Sequence, residues 1–344
     1  MKRFSIYLFS FAALAFGLSC CSNDSPEYRF PDRPAGPEKP EEPEKPESDY
    51  PKGMSVEAFE TTLQDGKITK GYIVTVDFAA NPKLQFNPTH LQPARKPTAA
   101  FDDFKSLGRG TPYVATNAGY FYNGASLSLC ITDGEVQSIA AQTAYPKDAN
   151  DKQVTAYPVR AALGQMTDGT FEATWVYCVQ DDGKRPYSFP SPLDNDESTY
   201  TYMTAPPTSQ TEGARLWEPR QAIGGGPMLV YDGKNVAMEY YYREVLHAGG
   251  TSGSSRVPRT AVGAAKDGTK LMLVVCDGRD SNGSAGLTIS ELADLFIEKG
   301  MDYAVNLDGG GSSEIVGFDG SILNTPSDGS ERSIPTAVVI SEKE

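Results

Sequence analysis

The 344-residue sequence has little histidine and lacks two common catalytic motifs. Its two histidines, His90 and His247, stand far apart, and neither has another metal ligand at the usual spacing. This composition argues against a zinc site built on histidine. The patterns Gly-x-Ser-x-Gly and Gly-x-x-x-x-Gly-Lys-Ser/Thr are absent. The usual markers of serine hydrolases and of P-loop nucleotide triphosphatases are therefore missing.

Net positive charge is also lacking, since the formal charge at neutral pH is −14. An acidic protein does not bind nucleic acid or anionic lipid through its bulk charge. We therefore expect no nucleic-acid partner. An anionic substrate would have to be bound by local arginine residues, working against the overall field of the protein.

Cysteine is scarce beyond the N-terminal region, where Cys20 and Cys21 are adjacent. The other three, Cys130, Cys178 and Cys276, each lie in an apolar, strand-like run. An odd number permits at most one disulfide among them, and apolar surroundings favour buried thiols.

No apolar run reaches the ~20 residues that a membrane-spanning helix needs. The apolar stretch at residues 4–18 follows Lys2 and Arg3, which is typical of an export signal. It ends at Ser19-Cys20-Cys21, which resembles the lipobox of bacterial lipoproteins. Residues 1–21 are thus predicted to be a lipoprotein signal peptide with Cys20 or Cys21 acylated, and an ordinary cleaved signal is the alternative.

Residues 22–50 are rich in proline and glutamate, and prolines recur every third residue from Pro37 to Pro46. That period matches polyproline II, so the segment is predicted to be an extended spacer. The predicted location is the bacterial cell envelope, lipid-anchored and either periplasmic or surface-exposed, with residues 51–344 forming one catalytic domain.

From residue 51 onward, the pattern predicts an α+β fold, mainly strands with a few packed helices. Strands are predicted at residues 71–78, 113–117, 223–231, 260–264 and 271–276, with a short helix at 98–107. A further helix begins at the capping box Thr288-x-x-Glu291 and ends before Gly300. Because it joins two apolar strands, it predicts one βαβ unit near the C-terminus, whose strands run parallel.

The most informative stretch is Asn306-Leu-Asp-Gly-Gly-Gly-Ser-Ser313, a strand followed by a glycine-rich stop. Three glycines are needed where φ is positive or where another group approaches the backbone. Their N–H groups can form an anion-binding nest. The alternative is a tight hairpin without a ligand.

In a βαβ unit, Asp277 and Asp308 follow the carboxyl ends of parallel strands, so the two carboxylates are expected to face one pocket. Paired carboxylates act as acid, base or nucleophile at a glycosidic centre. The guanidinium groups of Arg259 and Arg279 suit phosphate, although each could instead form a surface ion pair. No cofactor is predicted. The alternative is a bound Ca²⁺ ion, with side-chain oxygens of Asn306, Asp308 and Asp277 as its ligands.

A series of motifs resembles one known family. In order they are Asn117-Ala-Gly-Tyr-Phe121, Gly225-Gly-Pro-Met-Leu-Val230, Pro258-Arg-Thr-Ala-Val-Gly263, Asp277-Gly-Arg279, Asn306-Leu-Asp-Gly-Gly-Gly-Ser-Ser313 and Asn324-x-Pro-Ser-Asp-Gly-x-x-Arg332. Together they resemble the phosphodiester glycosidase domain family. Two positions depart from the family pattern: Ala118, where glycine is common, and Glu314, where a small or hydroxyl residue is common. Glu314 would either add a carboxylate to the site or point to solvent.

The resemblance implies hydrolysis of a sugar-1-phosphodiester at the anomeric C–O bond. Catalytic roles are expected for Asp308, Asp277, Arg259 and Arg279. Substrate binding is expected from Asn117, Gly119, Gly225, Gly226, Thr260, Asn306, Gly309, Gly310, Gly311, Ser312, Ser313, Ser327 and Arg332. The expected partner is a glycan or sugar-phosphate substrate. A non-catalytic glycan-binding surface lipoprotein and a metal-dependent phosphodiesterase are the alternatives.

Overall fold

The structure, a computed structural model, describes residues 49–140 and 143–344. The predicted signal peptide, both candidate lipidation cysteines and nearly all of the predicted spacer lie outside these residues. No helix in the described part of the chain is long and apolar enough to cross a membrane.

Strands dominate the described residues, and three α-helices accompany them. The helices are α1 (Pro97–Ser106), α2 (Ala237–Arg243) and α3 (Ile289–Glu298). The strands are β1 (Met54–Thr62), β2 (Ile68–Asp77), β3 (Leu84–Arg95), β4 (Thr111–Asn117), β5 (Phe121–Tyr122), β6 (Ala125–Ser126), β7 (Cys130–Thr132), β8 (Glu135–Ser138), β9 (Arg160–Gln165), β10 (Phe171–Val179), β11 (Arg185–Phe189), β12 (Arg215–Leu216), β13 (Gln221–Gly224), β14 (Met228–Tyr231), β15 (Lys234–Asn235), β16 (Arg259–Ala264), β17 (Lys270–Cys276), β18 (Tyr303–Asn306), β19 (Ile315–Val316) and β20 (Ile334–Glu342). The predicted α+β class is confirmed.

Three sheets carry most of these strands. The first has the order β1-β2-β17-β16-β18-β14-β15, and the second has the order β12-β11-β10-β9-β13-β7-β8. The third has the order β19-β4-β20-β3, so the C-terminal strand β20 lies between two N-terminal strands. Residues from all three sheets share the largest core cluster, including Leu273, Leu163 and Phe86.

The predicted strand–helix–strand unit is formed by β17, α3 and β18. Its strands run parallel as predicted, but they are not neighbours, because β16 lies between them and is antiparallel to both. The short turn between β16 and β17 makes these two strands neighbours in the sheet. Strand β18 therefore pairs with the other edge of β16. The capping box is present, since the Thr288 side chain accepts from Glu291 N and the Glu291 carboxylate accepts from Thr288 N.

The single strand predicted at residues 223–231 is interrupted between β13 and β14. Here the chain passes from the second sheet to the first. Gly225 N donates to Ala161 O (2.9 Å) in the second sheet, and Gly226 N donates to Asn306 O (2.8 Å) in the first. The prediction missed this break because an apolar run does not reveal which sheet each half joins.

The thiols of Cys130, Cys178 and Cys276 are buried and form no disulfide in the described residues, as the sequence predicts. Burial raises the pKa of Cys130 to about 12, which keeps that thiol protonated and inert.

Candidate active site

A cavity of about 900 Å³ opens at the ends of β4, β16 and β18. Its wall includes six of the residues predicted for the site: Arg259, Arg279, Asn306, Asp308, Gly309 and Gly310. The other predicted residues lie behind this wall or in the closing segment 324–332. Of all residues lining the cavity in the described part of the chain, Asp308 is the only one with a carboxylate.

Asp308 lies two residues after the end of β18 and is partly buried. Burial raises the pKa of Asp308 to about 6. A hydrogen bond from the Ser312 hydroxyl and one from Gly309 N (3.0 Å to Oδ1) limit this rise by favouring the ionised form. A carboxylate with a pKa near neutrality can hold or release a proton under physiological conditions.

Asn117 does not line the cavity but positions the loop that carries Asp308. Its Nδ2 donates to Asp308 O (2.6 Å), and its Oδ1 accepts from Thr260 Oγ1 (2.7 Å) and from Glu314 N (3.1 Å). Asn117 and Thr260 are both fully buried. The two predicted residues thus connect β4, β16 and the turn after β18 rather than reaching a ligand directly.

Asn306 is a residue of the cavity wall and has a buried, unused acceptor. Its Nδ2 donates to Tyr120 Oη (2.7 Å), Gly226 O (3.0 Å) and Leu307 O (2.8 Å). Because two of these partners are carbonyls, the amide can take only this orientation. Its Oδ1 is buried and has no hydrogen-bond partner among the described residues. A ligand that donates a hydrogen bond would satisfy it.

Tyr120 supports Asn306 and itself lines the cavity. Its hydroxyl donates to Gly226 O (2.6 Å), which leaves the oxygen to accept from Asn306. Burial raises the pKa of Tyr120 to about 12, so the phenol stays protonated. Tyr120 belongs to the motif Asn117-Ala-Gly-Tyr-Phe121, but the motif alone does not reveal its hydrogen bond with Asn306.

The three glycines after Asp308 serve close packing, and two of their N–H groups are already used. Gly309 N donates to the Asp308 carboxylate, and Gly310 N donates to Pro258 O (2.9 Å). The predicted anion nest is therefore largely occupied by the protein itself. Gly310 has φ +60°, and a Cβ there would lie 3.0 Å from Arg279 Nη2. Gly311 lies against Asp328 and Arg332 and has no room for a Cβ.

Arg259 is 2% exposed, yet its guanidinium reaches the cavity. Its Nε donates to Leu287 O (2.9 Å), and its Nη2 donates to Ser252 O (2.5 Å) and Ser255 O (3.0 Å). It therefore anchors the loop at residues 248–257. No ion pair joins it to a carboxylate in the described residues. A buried cation bonded only to neutral carbonyls is costly unless an anion approaches it.

Arg279 lies at the cavity wall on a turn of left-handed residues, with φ +57° at Arg279 and +62° at Asp280. Such backbone strain in non-glycine residues is frequent at functional sites. Its side chain is about half exposed and held loosely, 3.5 Å from Ser327 Oγ and 4.0 Å from Asp328 Oδ1. The guanidinium is thus available to a ligand.

The closing segment contributes Arg332, which pairs with Asp328 and donates to Ser312 Oγ (3.1 Å). Through Ser312 it acts on Asp308, and its positive charge lowers the pKa of that carboxyl. Ser312, Ser313, Ser327 and Arg332 do not line the cavity. Ser313 Oγ is buried without a partner in the described residues.

Asp277 is 2% exposed and is not part of the cavity wall. Its Oδ1 accepts from Asn324 Nδ2 (3.0 Å) and from Thr325 N (3.1 Å). Its carboxylate thus fastens the closing segment. The expected pair of converging carboxylates is not formed, because the Asp277 side chain turns toward residues 324–325.

The remaining predicted glycines lie where backbones cross. A Cβ on Gly119 would lie 2.3 Å from Ser128 Cβ, and one on Gly225 would lie 2.1 Å from Asn306 O. Gly226 has φ +135°. None of the three lines the cavity. Their shared effect is to bring β4, β13 and β18 close enough to build its wall.

Metal ligands are not gathered at this site. The described residues hold no group of three or more His, Cys, Asp or Glu side chains that could bind a metal ion. The oxygen donors considered for Ca²⁺ are divided, since Asn306 and Asp308 line the cavity and Asp277 does not.

Several cavity residues lie outside every motif. They include Arg160, Tyr122 and Tyr145. Arg160 begins β9 in the second sheet, far from any of the motifs. Only the fold brings them to the site.

Glu314 neither joins the cavity nor points to solvent. It is 1% exposed, and both of its carboxyl oxygens lack a hydrogen-bond donor. Burial, together with the Glu331 carboxylate beside it, raises the pKa of Glu314 to about 8. Glu331 accepts from Thr98 N (3.1 Å) and Thr98 Oγ1 (2.7 Å), and its pKa is lowered. Glu314 is therefore protonated at neutral pH, and its carboxyl oxygens have no hydrogen-bond partner among the described residues.

Glu314→Gln is expected to stabilise the protein by roughly 5 kcal/mol above pH 8 and by no more than about 1 kcal/mol at pH 5. The unfolded chain ionises Glu314 above about pH 4.5, whereas the folded chain does so only above about pH 8. Stability is therefore lost as the pH rises through this window, and glutamine removes that loss. Chemical denaturation at several pH values measures it, with exposed Glu135→Gln as the control. A gain in stability that is independent of pH would contradict the protonation of Glu314 in the folded protein.

Comparisons with known proteins identify the family and the fold of this chain. The family model for phosphodiester glycosidase matches residues 113–341. The catalytic domain of zebrafish N-acetylglucosamine-1-phosphodiester alpha-N-acetylglucosaminidase, auto-inhibited by its pro-peptide, has a similar fold, with a TM-score of 0.55, 20% identity and 86% of each chain covered. A hypothetical protein from Synechocystis has a TM-score of 0.50 and 17% identity, covering 84% of this chain and 62% of that one.

A shorter match joins the chain to the SPbeta prophage-derived uncharacterized protein YomE of Bacillus subtilis (strain 168). It is 42% identical over 84 residues, which are 24% of this chain and only 13% of that protein. The two solved structures share the fold at low identity. The family model covers well over half of the sequence, and the chain belongs to the phosphodiester glycosidase family.

Proposed function

We propose that the protein hydrolyses a sugar-1-phosphodiester at the bond between the anomeric carbon and the phosphate oxygen. The observation that carries the proposal is a cavity with a single carboxylate, Asp308, beside the loosely held guanidinium of Arg279. The family supports a phosphodiester substrate, and the zebrafish relative is named for acting on N-acetylglucosamine-1-phosphodiesters.

A single carboxylate suits a phosphate leaving group. An alcohol leaves a sugar poorly unless an acid protonates it, whereas a phosphate diester leaves as a stable monoester anion. Arg279 and Arg259 would stabilise that anion by charge-assisted hydrogen bonds. A second carboxylic acid that would protonate the leaving group is then unnecessary.

Asp308 would act as the general base. Its carboxylate takes a proton from a water molecule, the water oxygen attacks the anomeric carbon, and the C–O bond to phosphate breaks with its electron pair staying on the phosphate oxygen. One base and one displacement invert the anomeric centre. The buried Oδ1 of Asn306 would accept a hydrogen bond from a sugar hydroxyl or amide. Asn117, Thr260, Ser312 and Arg332 would position Asp308.

Hydrolysis of an ethyl α-glycosyl-1-phosphate in ¹⁸O-labelled water tests the proposal. The label is expected in the sugar hydroxyl and not in the ethyl phosphate, as read by mass spectrometry. Proton NMR in the first minutes is expected to show the β-anomer. A panel of sugars, beginning with N-acetylglucosamine, serves as substrate.

Label in the phosphate would instead identify a phosphodiesterase, and sensitivity to a chelator would assign it to a metal. Binding of the glycosyl phosphate without release of sugar would identify a glycan-binding protein. Export and lipid attachment at Cys20 or Cys21 remain predictions from the sequence.

A further inference from the structure

Arg160 is a third cation of the cavity wall, and it lies outside every motif. It begins β9 in the second sheet. The other two cations belong to the first sheet, where Arg259 begins β16 and Arg279 follows β17. Its Nε donates to Glu244 O (3.3 Å), and its Nη2 donates to Val245 O (3.1 Å). Both partners are neutral carbonyls, and no ion pair involves Arg160 within the described residues. Its charge is therefore not neutralised by direct contact.

The carboxylates that influence Arg160 are occupied elsewhere. Glu244 accepts from Ala161 N (3.0 Å), Trp175 Nε1 (2.9 Å) and Met228 N (2.9 Å), and burial raises its pKa to about 7. Glu197 accepts from His247 N (2.9 Å) and Ala248 N (2.9 Å). Each carboxylate is directed at N–H groups, so the guanidinium remains available to an anion in the cavity.

Arg160 lies at the cavity wall beside Gly249. The guanidinium is close to this glycine, since a Cβ on Gly249 would lie 4.0 Å from Arg160 Nη2. Two tyrosines also line this cavity while largely exposed, Tyr122 at 70% and Tyr145 at 60%. Tyr145 lies on an arm closed by the bridge Ala144–Ala156, and Tyr122 lies on the β5–β6 hairpin. Aromatic faces at the mouth suit a substrate that extends beyond one sugar.

We propose that Arg160 binds a second anionic group of the substrate, which makes the substrate a sugar-1-phosphodiester whose other ester arm bears a further phosphate or carboxylate. This rests on the proposed function for the place of the first phosphate, at Arg279 and Arg259. The first and second anions would be bound by arginines from different sheets.

Calorimetric titration tests this without turnover. The probes are inorganic phosphate and a series of linear alkane bisphosphonates, from ethane-1,2- to hexane-1,6-bisphosphonate. The unaltered protein is expected to bind the best-fitting bisphosphonate at least about tenfold more tightly than phosphate. Arg160→Gln is expected to abolish this gain and to change phosphate affinity less than about twofold. Arg160→Lys, which keeps the charge, is expected to restore part of the gain.

Arg185→Gln is the matched control, since Arg185 lies on the surface and pairs with Asp182 and Glu218. Thermal unfolding confirms that each variant is folded. The inference is overturned if bisphosphonates bind no better than phosphate. It is also overturned if Arg160→Gln weakens both probes equally, because Arg160 would then bind the first phosphate.

A turnover comparison separates this inference from the proposed function. The substrates are glycosyl-1-phosphates esterified with ethyl or with 2-carboxyethyl groups. Arg160→Gln is expected to raise KM for the carboxyethyl ester alone, with kcat unchanged. If neither ester is hydrolysed while the bisphosphonate pattern holds, the proposed function fails and the second anion site stands. If both esters are hydrolysed equally well, with no preference for the carboxyethyl group, the proposed function stands and the second anion site fails.

Discussion

Asp308→Asn is expected to lower kcat for a glycosyl-1-phosphodiester by at least about 10³-fold while leaving KM nearly unchanged. Asparagine fills the same space and still accepts a hydrogen bond from Gly309 N, so the loop is retained. It cannot take a proton from water. Steady-state kinetics with the ethyl ester measures the loss, and Asp102→Asn, on the exposed side of α1, is the control.

The pH profile supports the same assignment. Burial raises the pKa of Asp308 to about 6, so kcat/KM of the unaltered protein is expected to fall as the pH drops through about 6. Ser312→Ala removes a hydrogen bond to the ionised carboxylate and should move this limb to higher pH. A variant Asp308→Asn with more than a tenth of normal kcat would show that another group is the base.

Asp277→Asn distinguishes the two aspartates. Asn324 Nδ2 and Thr325 N both donate to Asp277 Oδ1. Asparagine keeps this acceptor but loses its negative charge, which weakens both hydrogen bonds, so the replacement is expected to cost about 1–3 kcal/mol of stability and to loosen the closing segment. Since Asp277 is outside the cavity wall, kcat should fall far less than in Asp308→Asn. A loss of kcat equal to that of Asp308→Asn, with unchanged stability, would give Asp277 a direct role.

Gly225→Ala is expected to destabilise the protein by at least about 4 kcal/mol. Its Cβ would lie 2.1 Å from Asn306 O, which is itself fixed by accepting from Gly226 N. Neither backbone can move without separating the two sheets at the cavity. Chemical denaturation measures the free energy of unfolding, and loss of soluble folded protein is the extreme result.

Gly249→Ala is the matched control. A Cβ there would meet Leu246 O at 3.4 Å, an ordinary contact, and the backbone has no positive φ. Its stability should stay within about 1 kcal/mol of the unaltered protein. If Gly225→Ala were equally mild, the two sheets would have to be more loosely joined at this crossing than the close approach implies.

Local features were predictable from the sequence because their causes are local. The capping box of α3 and its apolar stripe are set by residues within one helix. The strands next to the site follow from runs of apolar residues, and the sharp turn after Asp308 follows from its glycines.

Contacts across the chain were not predictable in this way. Asn117 and Asp308 are separated by 191 positions, and nothing in either motif shows that one amide binds the other's carbonyl. Arg160 reaches the cavity only because β9 adjoins β13 in the second sheet. The direction of its strand predicts that Asp277 faces the cavity, but its side chain accepts hydrogen bonds from Asn324 Nδ2 and Thr325 N instead.

The position of β20 has a consequence for how the protein is made. This last strand lies between β3 and β4, and it pairs with Leu84 and Thr111 through Glu342, almost at the end of the chain. The third sheet therefore cannot close until Glu342 has left the ribosome. Its closure needs pairings of very long sequence separation, which are slow to form. Loss of β20 would remove an inner strand and leave β3 and β4 as open edges prone to association.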